Sequence, residues 1–126
     1  MKQTIKLLAL SMLSAGVFVL LHTSSAHAAT LTVVSGTDET VTNSTCSLSE
    51  AILNINAGDA ATYPECAGTG VFGTDDTIEL PAGVITLSAD IPLITGSIRI
   101  EGQGMGASVV SGASAWEGFS SSAGDF

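Results

Sequence analysis

A small set of side chains in this sequence could carry chemistry, and two adjacent carboxylates are the most conspicuous of them. Asp75 and Asp76 stand together in a stretch rich in Gly and Thr and could bind Ca²⁺. Calcium takes about six to eight oxygen ligands, and nearby only Glu79 and backbone carbonyls could complete such a site. Aspartate is also a common turn residue before a strand. The pair is therefore either a calcium site or part of a turn.

The N-terminal segment, 1–28, has the pattern of an export signal. Two lysines precede an apolar run over residues 7–21, and Ala26-His27-Ala28 fits the A-x-A cleavage pattern. The apolar run has about 15 residues, fewer than the ~20 that span a bilayer, which argues against a transmembrane anchor. We therefore expect cleavage after Ala28 and a secreted or cell-surface chain that has no membrane span after cleavage.

The processed chain has few groups for catalysis. Removing 28 of the 126 residues leaves 98, enough for one small domain. Both histidines and two of the three basic residues leave with the signal, so Arg99 faces all twelve acidic residues at a net charge of about −11. Such a chain is not expected to bind nucleic acid, because phosphate contacts need clustered Lys and Arg. Arg99 is the single basic candidate for proton transfer, and pairing with Glu101 is its plainer use.

Cys46 and Cys66 are the two cysteines of the chain. An exported chain with an even cysteine count favours a disulfide. The bridge would close a loop of about 20 residues, worth on the order of 3 kcal/mol in the chain-entropy model. A zinc site and a reactive thiol are the alternatives. Two thiols without a histidine cannot complete a zinc site, and no base is available to activate a thiol as a nucleophile.

One convincing helix is predicted in the mature chain, over residues 47–56. Ser47 and Glu50 have the S-x-x-E spacing of a capping box, in which each side chain accepts from the other residue's backbone amide. A helix of about ten residues is not stable alone in water, so its apolar side must cover a core. That side repeats at helical spacing and consists of Leu48, Ile52 and Ile55.

Short β-branched or alternating segments indicate strands in the rest of the chain. A strand is expected at 30–34, before a turn at 36–39. An extended segment that contains a proline is expected at 90–94. The other alternating segments cover 77–80, 84–88, 97–102 and 108–112. The inward positions are expected to be Ile78, Leu80, Ile85, Leu87, Ile98, Ile100 and Val110, and the outward ones Thr86, Arg99 and Glu101.

Apolar pairs recur at a period of roughly 20–24 residues, which is typical of a β-solenoid. A β-sandwich is the alternative arrangement of such strands. The recurring pairs are Ile78/Leu80 with Ile98/Ile100, and Ile85/Leu87 with Ser108/Val110.

The helix region carries a family resemblance. Residues 46–52 read C-S-L-S-E-A-I and are followed by Asn56. They resemble the C-S-L-R-E-A-I…N signature of the CSLREA-type proteins, which are secreted bacterial right-handed parallel β-helix proteins, and the likeness extends over about residues 30–112. Ser49 replaces the arginine of the signature, so any ion pair of that arginine is absent. The resemblance implies an all-β fold that starts a right-handed parallel β-helix with an N-terminal capping α-helix. Leu48, Ile52 and Ile55 are then expected to plug the open end of the first rung.

Three parts are expected: a signal peptide at 1–28, an N-terminal cap at 29–76 whose loop is tethered by Cys66, and the first rungs at 77–126, which end without a capping pattern. The expected function is that of a non-catalytic scaffold that binds extracellular carbohydrate or a surface protein. The alternative is the N-terminal part of a polysaccharide lyase or hydrolase whose active site lies in further rungs. β-Helix polysaccharide lyases are similar in using Asp-rich calcium sites. No catalytic residue is assigned, and no cofactor is expected.

Overall fold

A computed structural model describes residues 27–120 of the chain. The signal-peptide prediction therefore falls, up to residue 26, outside the described residues. A short 3-10 helix, Pro64–Cys66, lies in the loop after the α-helix. The other elements are β1 (Thr30–Thr32), β2 (Gly36–Thr37), α1 (Leu48–Ala57), β3 (Asp76–Glu79), β4 (Gly83–Thr86), β5 (Ile98–Glu101) and β6 (Ser108–Ser111).

The strands alternate between two parallel sheets of three strands each. One sheet has the order β1-β3-β5 and the other has the order β2-β4-β6. Every pairing between these six strands is parallel, so the chain passes through the other sheet and a connecting segment before it adds the next strand to the same sheet. The fold is thus mostly β with one short α-helix, and its topology is compatible with the rungs of a parallel β-helix.

Alternation along the strands places one row of apolar side chains from each sheet in the core. In the first sheet Leu31, Ile78 and Ile100 lie opposite one another in successive strands. In the second sheet Ile85 lies opposite Val110. The members of these rows in β1, β3 and β4 are buried, whereas Ile100 and Val110 are half-buried.

The predicted partners of the recurring residues were wrong by two positions. Ile78 pairs with Ile100 rather than with Ile98. Ile85 pairs with Val110 and not with Ser108. Because a shift by two positions keeps every side chain on its face, the predicted inward and outward positions are still right. The first four inward residues are buried, the last three half-buried, and Thr86, Arg99 and Glu101 are exposed.

Two further predictions differ from the structure. Gly36 and Thr37, expected in a turn, form β2 and pair with Ile85 and Thr86 of β4. The extended piece at 90–94 lies outside the named strands, although its Ile91 and Ile94 are buried. In both places the conformation of a short segment depends on contacts with distant segments of the same chain, and local periodicity does not predict such contacts.

Helix α1 begins and ends one residue later than predicted. Ser47 is its N-cap, and Gly58 ends it with φ of 77°, a left-handed conformation that suits glycine. The helix contacts β3 and the 3-10 helix, and most of its residues are buried. Among residues 27–120 the structure has no helix that is both long and apolar enough to cross a membrane.

Candidate functional site

The cysteines form the predicted disulfide. Cys46 and Cys66 are bonded, with their Cα atoms 4.9 Å apart and a sequence separation of 20. The bond joins the residue before the N-cap of α1 to the last residue of the 3-10 helix, and both half-cystines are buried. A buried bond of this kind is structural and leaves no thiol for catalysis or metal binding.

The N-terminus of α1 carries both halves of a capping box. The Ser47 hydroxyl accepts from the backbone amide of Glu50 at 3.2 Å, and Glu50 Oε2 accepts from the backbone amide of Ser47 at 3.0 Å. The Ser47 hydroxyl also donates to the carbonyl of Glu39. Two of the amide donors that a helix start leaves unpaired are therefore satisfied, and the preceding loop is fixed to the helix.

Glu50 has a second role that the capping box does not explain. Its Oε1 accepts from the backbone amide of Val41 at 2.9 Å, and its side chain is 0% exposed. Both carboxylate oxygens are thus engaged by amides of the loop that leads to the helix. A carboxylate held in this way positions the chain and is closed to a substrate.

Ser49, which stands at the position of the signature's arginine, is hydrogen-bonded to Asp38. The Ser49 amide donates to Asp38 Oδ1 at 2.9 Å, and the Ser49 hydroxyl donates to Asp38 Oδ2 at 2.5 Å. The backbone amide of Asp38 in turn donates to the carbonyl of Thr86 in β4 at 2.8 Å. A negative charge at a helix N-terminus is favoured by the helix dipole. Asp38, which sequence reasoning missed, therefore connects α1 with the second sheet.

Two asparagines connect α1 with later segments. Asn54 is buried, and its Nδ2 donates to the carbonyl of Tyr63 at 2.7 Å. Asn56 donates from Nδ2 to the carbonyl of Leu93 at 2.8 Å, and its Oδ1 accepts from the amide of Thr95 at 3.0 Å. The spacing of Glu50 and Asn54, one helical turn apart, was the available signal for a second, polar buried face.

The predicted plug residues all lie in the core. Leu48 and Ile52 are fully buried, and Ile55 is nearly so. They belong to one apolar cluster with the inward residues of β1, β3 and β4. That they close one end of a solenoid remains a prediction.

The two adjacent aspartates point to different partners. Asp76 is 0% exposed, and its Oδ1 and Oδ2 accept from the amides of Ala29 at 2.7 Å and Gly73 at 3.1 Å. Asp75 has φ of 63° and accepts from the hydroxyl of Ser97 at 2.8 Å. Within residues 27–120 no group of three or more His, Cys, Asp or Glu side chains could hold a metal ion. The arrangement fits the turn role better than the calcium role.

Arg99 lies on the outer face of β5. Its guanidinium is 3.0 Å from Glu101 Oε1, and the two side chains are 71% and 49% exposed. Exposed pairs of this kind contribute little to stability. The same-face pairing expected from the sequence is present, and it leaves the guanidinium in solvent rather than in a cleft.

An open groove of about 560 Å³ runs beside β1. Two of its carboxylates are already hydrogen-bonded: Glu79 accepts from the Thr32 hydroxyl at 3.2 Å, and Glu65 accepts from the Asn43 amide at 2.8 Å. The threonine and glutamate side chains of this groove could hydrogen-bond the hydroxyls of a ligand. They supply no nucleophile activated by a base.

No protein-family model matches the chain, no curated protein matches it, and no solved structure matches it. The function must therefore be inferred from the geometry of the described residues.

Proposed function

We propose that the mature chain begins a right-handed parallel β-helix of the CSLREA type and serves as a secreted or cell-surface scaffold without catalytic activity. One observation carries the proposal: successive strands alternate between two parallel sheets whose pairings stay in register. That alternation is the way in which solenoid rungs stack, with each rung contacting its neighbours.

The uneven burial of the strands supports a direction for this stacking. The inward residues of β1 and β3 are fully buried beside α1, as Leu31 and Ile78 illustrate. The inward residues of β5 and β6 are half-buried, as Ile100 and Val110 illustrate. Apolar side chains left half-covered on an outer strand are the surface on which a further rung would pack.

The use of the acidic side chains supports a role without catalysis. Glu50 and Asp76 are buried, and all four of their carboxylate oxygens accept from backbone amides. Polysaccharide lyases need a basic group as proton acceptor, and Arg99 is exposed and paired with Glu101. The carboxylates therefore hold the fold together.

The outward row of the first sheet supports a binding role. Thr32, Glu79 and Glu101 lie opposite one another in successive strands, and all three are exposed. Rows of hydroxyl and carboxylate oxygens at regular strand spacing can hydrogen-bond the hydroxyls of an extended carbohydrate. The partner proposed is accordingly an extracellular carbohydrate, with a surface protein as the alternative.

An activity assay with the exported protein tests the scaffold proposal. We expect no turnover of pectin or alginate, with or without Ca²⁺, because no proton acceptor lies in a cleft. Calcium-dependent release of unsaturated sugar ends that is lost on Asp75→Ala or Arg99→Ala, but kept in the exposed-loop control Asp59→Ala, would replace this proposal with a polysaccharide lyase.

A binding assay tests the outward row. Retention on immobilised polysaccharide is expected to fall in the double variant Glu79→Gln and Glu101→Gln and to stay unchanged in Glu117→Gln, whose side chain is exposed outside the strands. Equal loss in both variants would mean that net charge, and not this row, controls retention.

A further inference from the structure

Asp76 is a buried carboxylate that no cationic side chain accompanies. It is fully buried, and the two groups that donate to it are neutral backbone amides. Within residues 27–120 the structure has one ion pair between side chains, and it joins Arg99 to Glu101. Since Arg99 is the only basic side chain after residue 28, no lysine or second arginine can serve as the counter-ion.

One of the two donors is the amide nitrogen of Ala29, at 2.7 Å from Asp76 Oδ1. Ala29 is itself fully buried. Its carbonyl accepts from the amide of Thr77 at 2.8 Å, and the next residue, Thr30, exchanges hydrogen bonds with Thr69 at 2.7 and 2.9 Å. The nitrogen of Ala29 is therefore held against the carboxylate by β1 and β3, whatever precedes it.

The predicted signal cleavage falls at this nitrogen. The export protease would break the C–N bond between Ala28 and Ala29 with water as co-reactant. The hydroxyl of the water goes to the Ala28 carbonyl carbon and its other hydrogen to the Ala29 nitrogen. At neutral pH the new carboxyl group then loses a proton, and the new amine takes one up. α-Amino groups have a pKa of about 8, so the new terminus is mostly an ammonium at neutral pH.

The geometry points to an internal binding site for the N-terminus of the mature chain: Asp76 is the acceptor for the α-ammonium of Ala29, which exists only after signal cleavage. The present distance of 2.7 Å already lies at the short end of the range for charge-assisted N–H···O bonds, about 2.7–2.9 Å. Processing thus replaces a neutral amide donor by a cationic one, and the hydrogen bond becomes an ion pair without moving either residue.

The energetic balance favours this ion pair over most buried ones. Burying two charges usually costs more than their attraction returns. Here the carboxylate is buried in the unprocessed chain as well, so its desolvation does not oppose the processing step. His27 and Ala28 are exposed, and their removal opens the new ammonium to water on that side. The ammonium therefore stays partly hydrated while it gains a charged acceptor.

Cleavage also removes contacts that the leader makes. The carbonyl of His27 accepts from the amide of Val71 at 2.9 Å, and Ala28 pairs with Val71 in a parallel bridge. The unprocessed chain can therefore fold with the last two residues of its leader, His27 and Ala28, beside residues 69–71. Processing removes these contacts and creates the ion pair, so that the stability of the exported form depends on cleavage at the correct bond.

Amine labelling gives a direct test, because residues 29–126 contain no lysine and the α-amine of Ala29 is the sole primary amine among them. The exported protein is first confirmed by intact mass to begin at Ala29, and it is then treated with an amine-reactive ester. We expect labelling at least about tenfold slower than in the urea-unfolded chain, and a return towards the unfolded rate in Asp76→Asn. Asp75→Asn is the matched control, since asparagine tolerates a positive φ, and it should leave the slow rate unchanged.

Chemical unfolding supplies a second measurement that does not require Asp76→Asn to fold. The free-amine chain is compared with the same chain acetylated at Ala29, which keeps the N–H but removes the charge. We expect acetylation to raise the unfolding equilibrium constant by about tenfold or more, because the nitrogen then donates as a neutral amide and the ion pair is lost. Equal stability of the two forms, labelling at the unfolded rate, or a mature chain that starts at another residue would each overturn the inference. None of these outcomes bears on the scaffold proposal.

Discussion

Helix α1 and strand β5 place their charged residues in opposite environments. Glu50 in the first turn of the helix is fully buried and accepts from two backbone amides. Arg99 and Glu101 in the strand are exposed and bond to each other at 3.0 Å. Backbone amides are fixed by the fold, whereas an exposed guanidinium can exchange its partner for water. The charge of Glu50 therefore fixes a backbone conformation, whereas the charges of Arg99 and Glu101 lie on the solvent-exposed surface.

The apolar residues differ in the same direction. Ile52 of the helix is fully buried in the core, and Ile100 of β5 is half-buried at its edge. The disulfide and the buried polar contacts also lie on the helix side. Stability should accordingly decline from the helix side towards β5 and β6, and single substitutions in the two regions can measure the difference.

The largest effect is expected from truncating the helix core. Ile52→Ala should lower the free energy of unfolding by roughly 2–5 kcal/mol, because it removes buried methyl groups and leaves a cavity. Ile100→Ala is the matched variant and should cost about 1 kcal/mol, since only part of its area is withdrawn from water. Urea unfolding followed by far-UV circular dichroism measures both. Equal losses would show that β5 is as firmly packed as the helix.

Removing the buried carboxylate should have the next largest effect. Glu50→Ala leaves the amides of Ser47 and Val41 without their acceptor and should cost about 3 kcal/mol. A capping box alone would account for only about 1 kcal/mol. Glu101→Ala is the matched surface variant and should change the unfolding free energy by less than ~0.5 kcal/mol. A Glu50→Ala cost near 1 kcal/mol would mean that the bond to Val41 contributes nothing.

Opening the disulfide should cost about 3 kcal/mol, because the unfolded chain regains the entropy of the loop between Cys46 and Cys66. The double variant Cys46→Ser and Cys66→Ser is compared with the oxidised protein by chemical unfolding. Thiol titration of the oxidised protein in denaturant should find no free cysteine. A double variant that keeps full stability would show that the buried network of α1 alone is enough to hold the loop.

The smallest effect is expected at the surface pair. Arg99→Ala should change the unfolding free energy by at most ~0.5 kcal/mol, and added salt should reduce even that difference. Arg99→Lys is the control that keeps the charge. A loss above about 1 kcal/mol in Arg99→Ala but not in Arg99→Lys would contradict the contrast between the two regions, because it would give an exposed pair the weight of a buried one.

Local sequence signals were sufficient for the elements that depend on neighbours in the chain. The S-x-x-E spacing and the apolar stripe placed α1 to within one residue, since a helix bonds and packs at intervals of three and four. Period-two alternation predicted the inward and outward faces of β3 to β6, since successive side chains of a strand point to opposite faces. The even cysteine count gave the disulfide, because with two cysteines only one pairing exists within the chain.

The tertiary structure alone decided register, sheet membership and the roles of the buried acids. The loops between strands vary in length, so the pairing of Ile78 with Ile100 cannot be read from a repeat of apolar pairs. Asp76 meets the amide of Ala29 across 47 positions, and Asn56 meets Leu93 across 37. No local pattern encodes such contacts, because an acceptor buried in the core takes whichever distant backbone donor the packed strands bring to it.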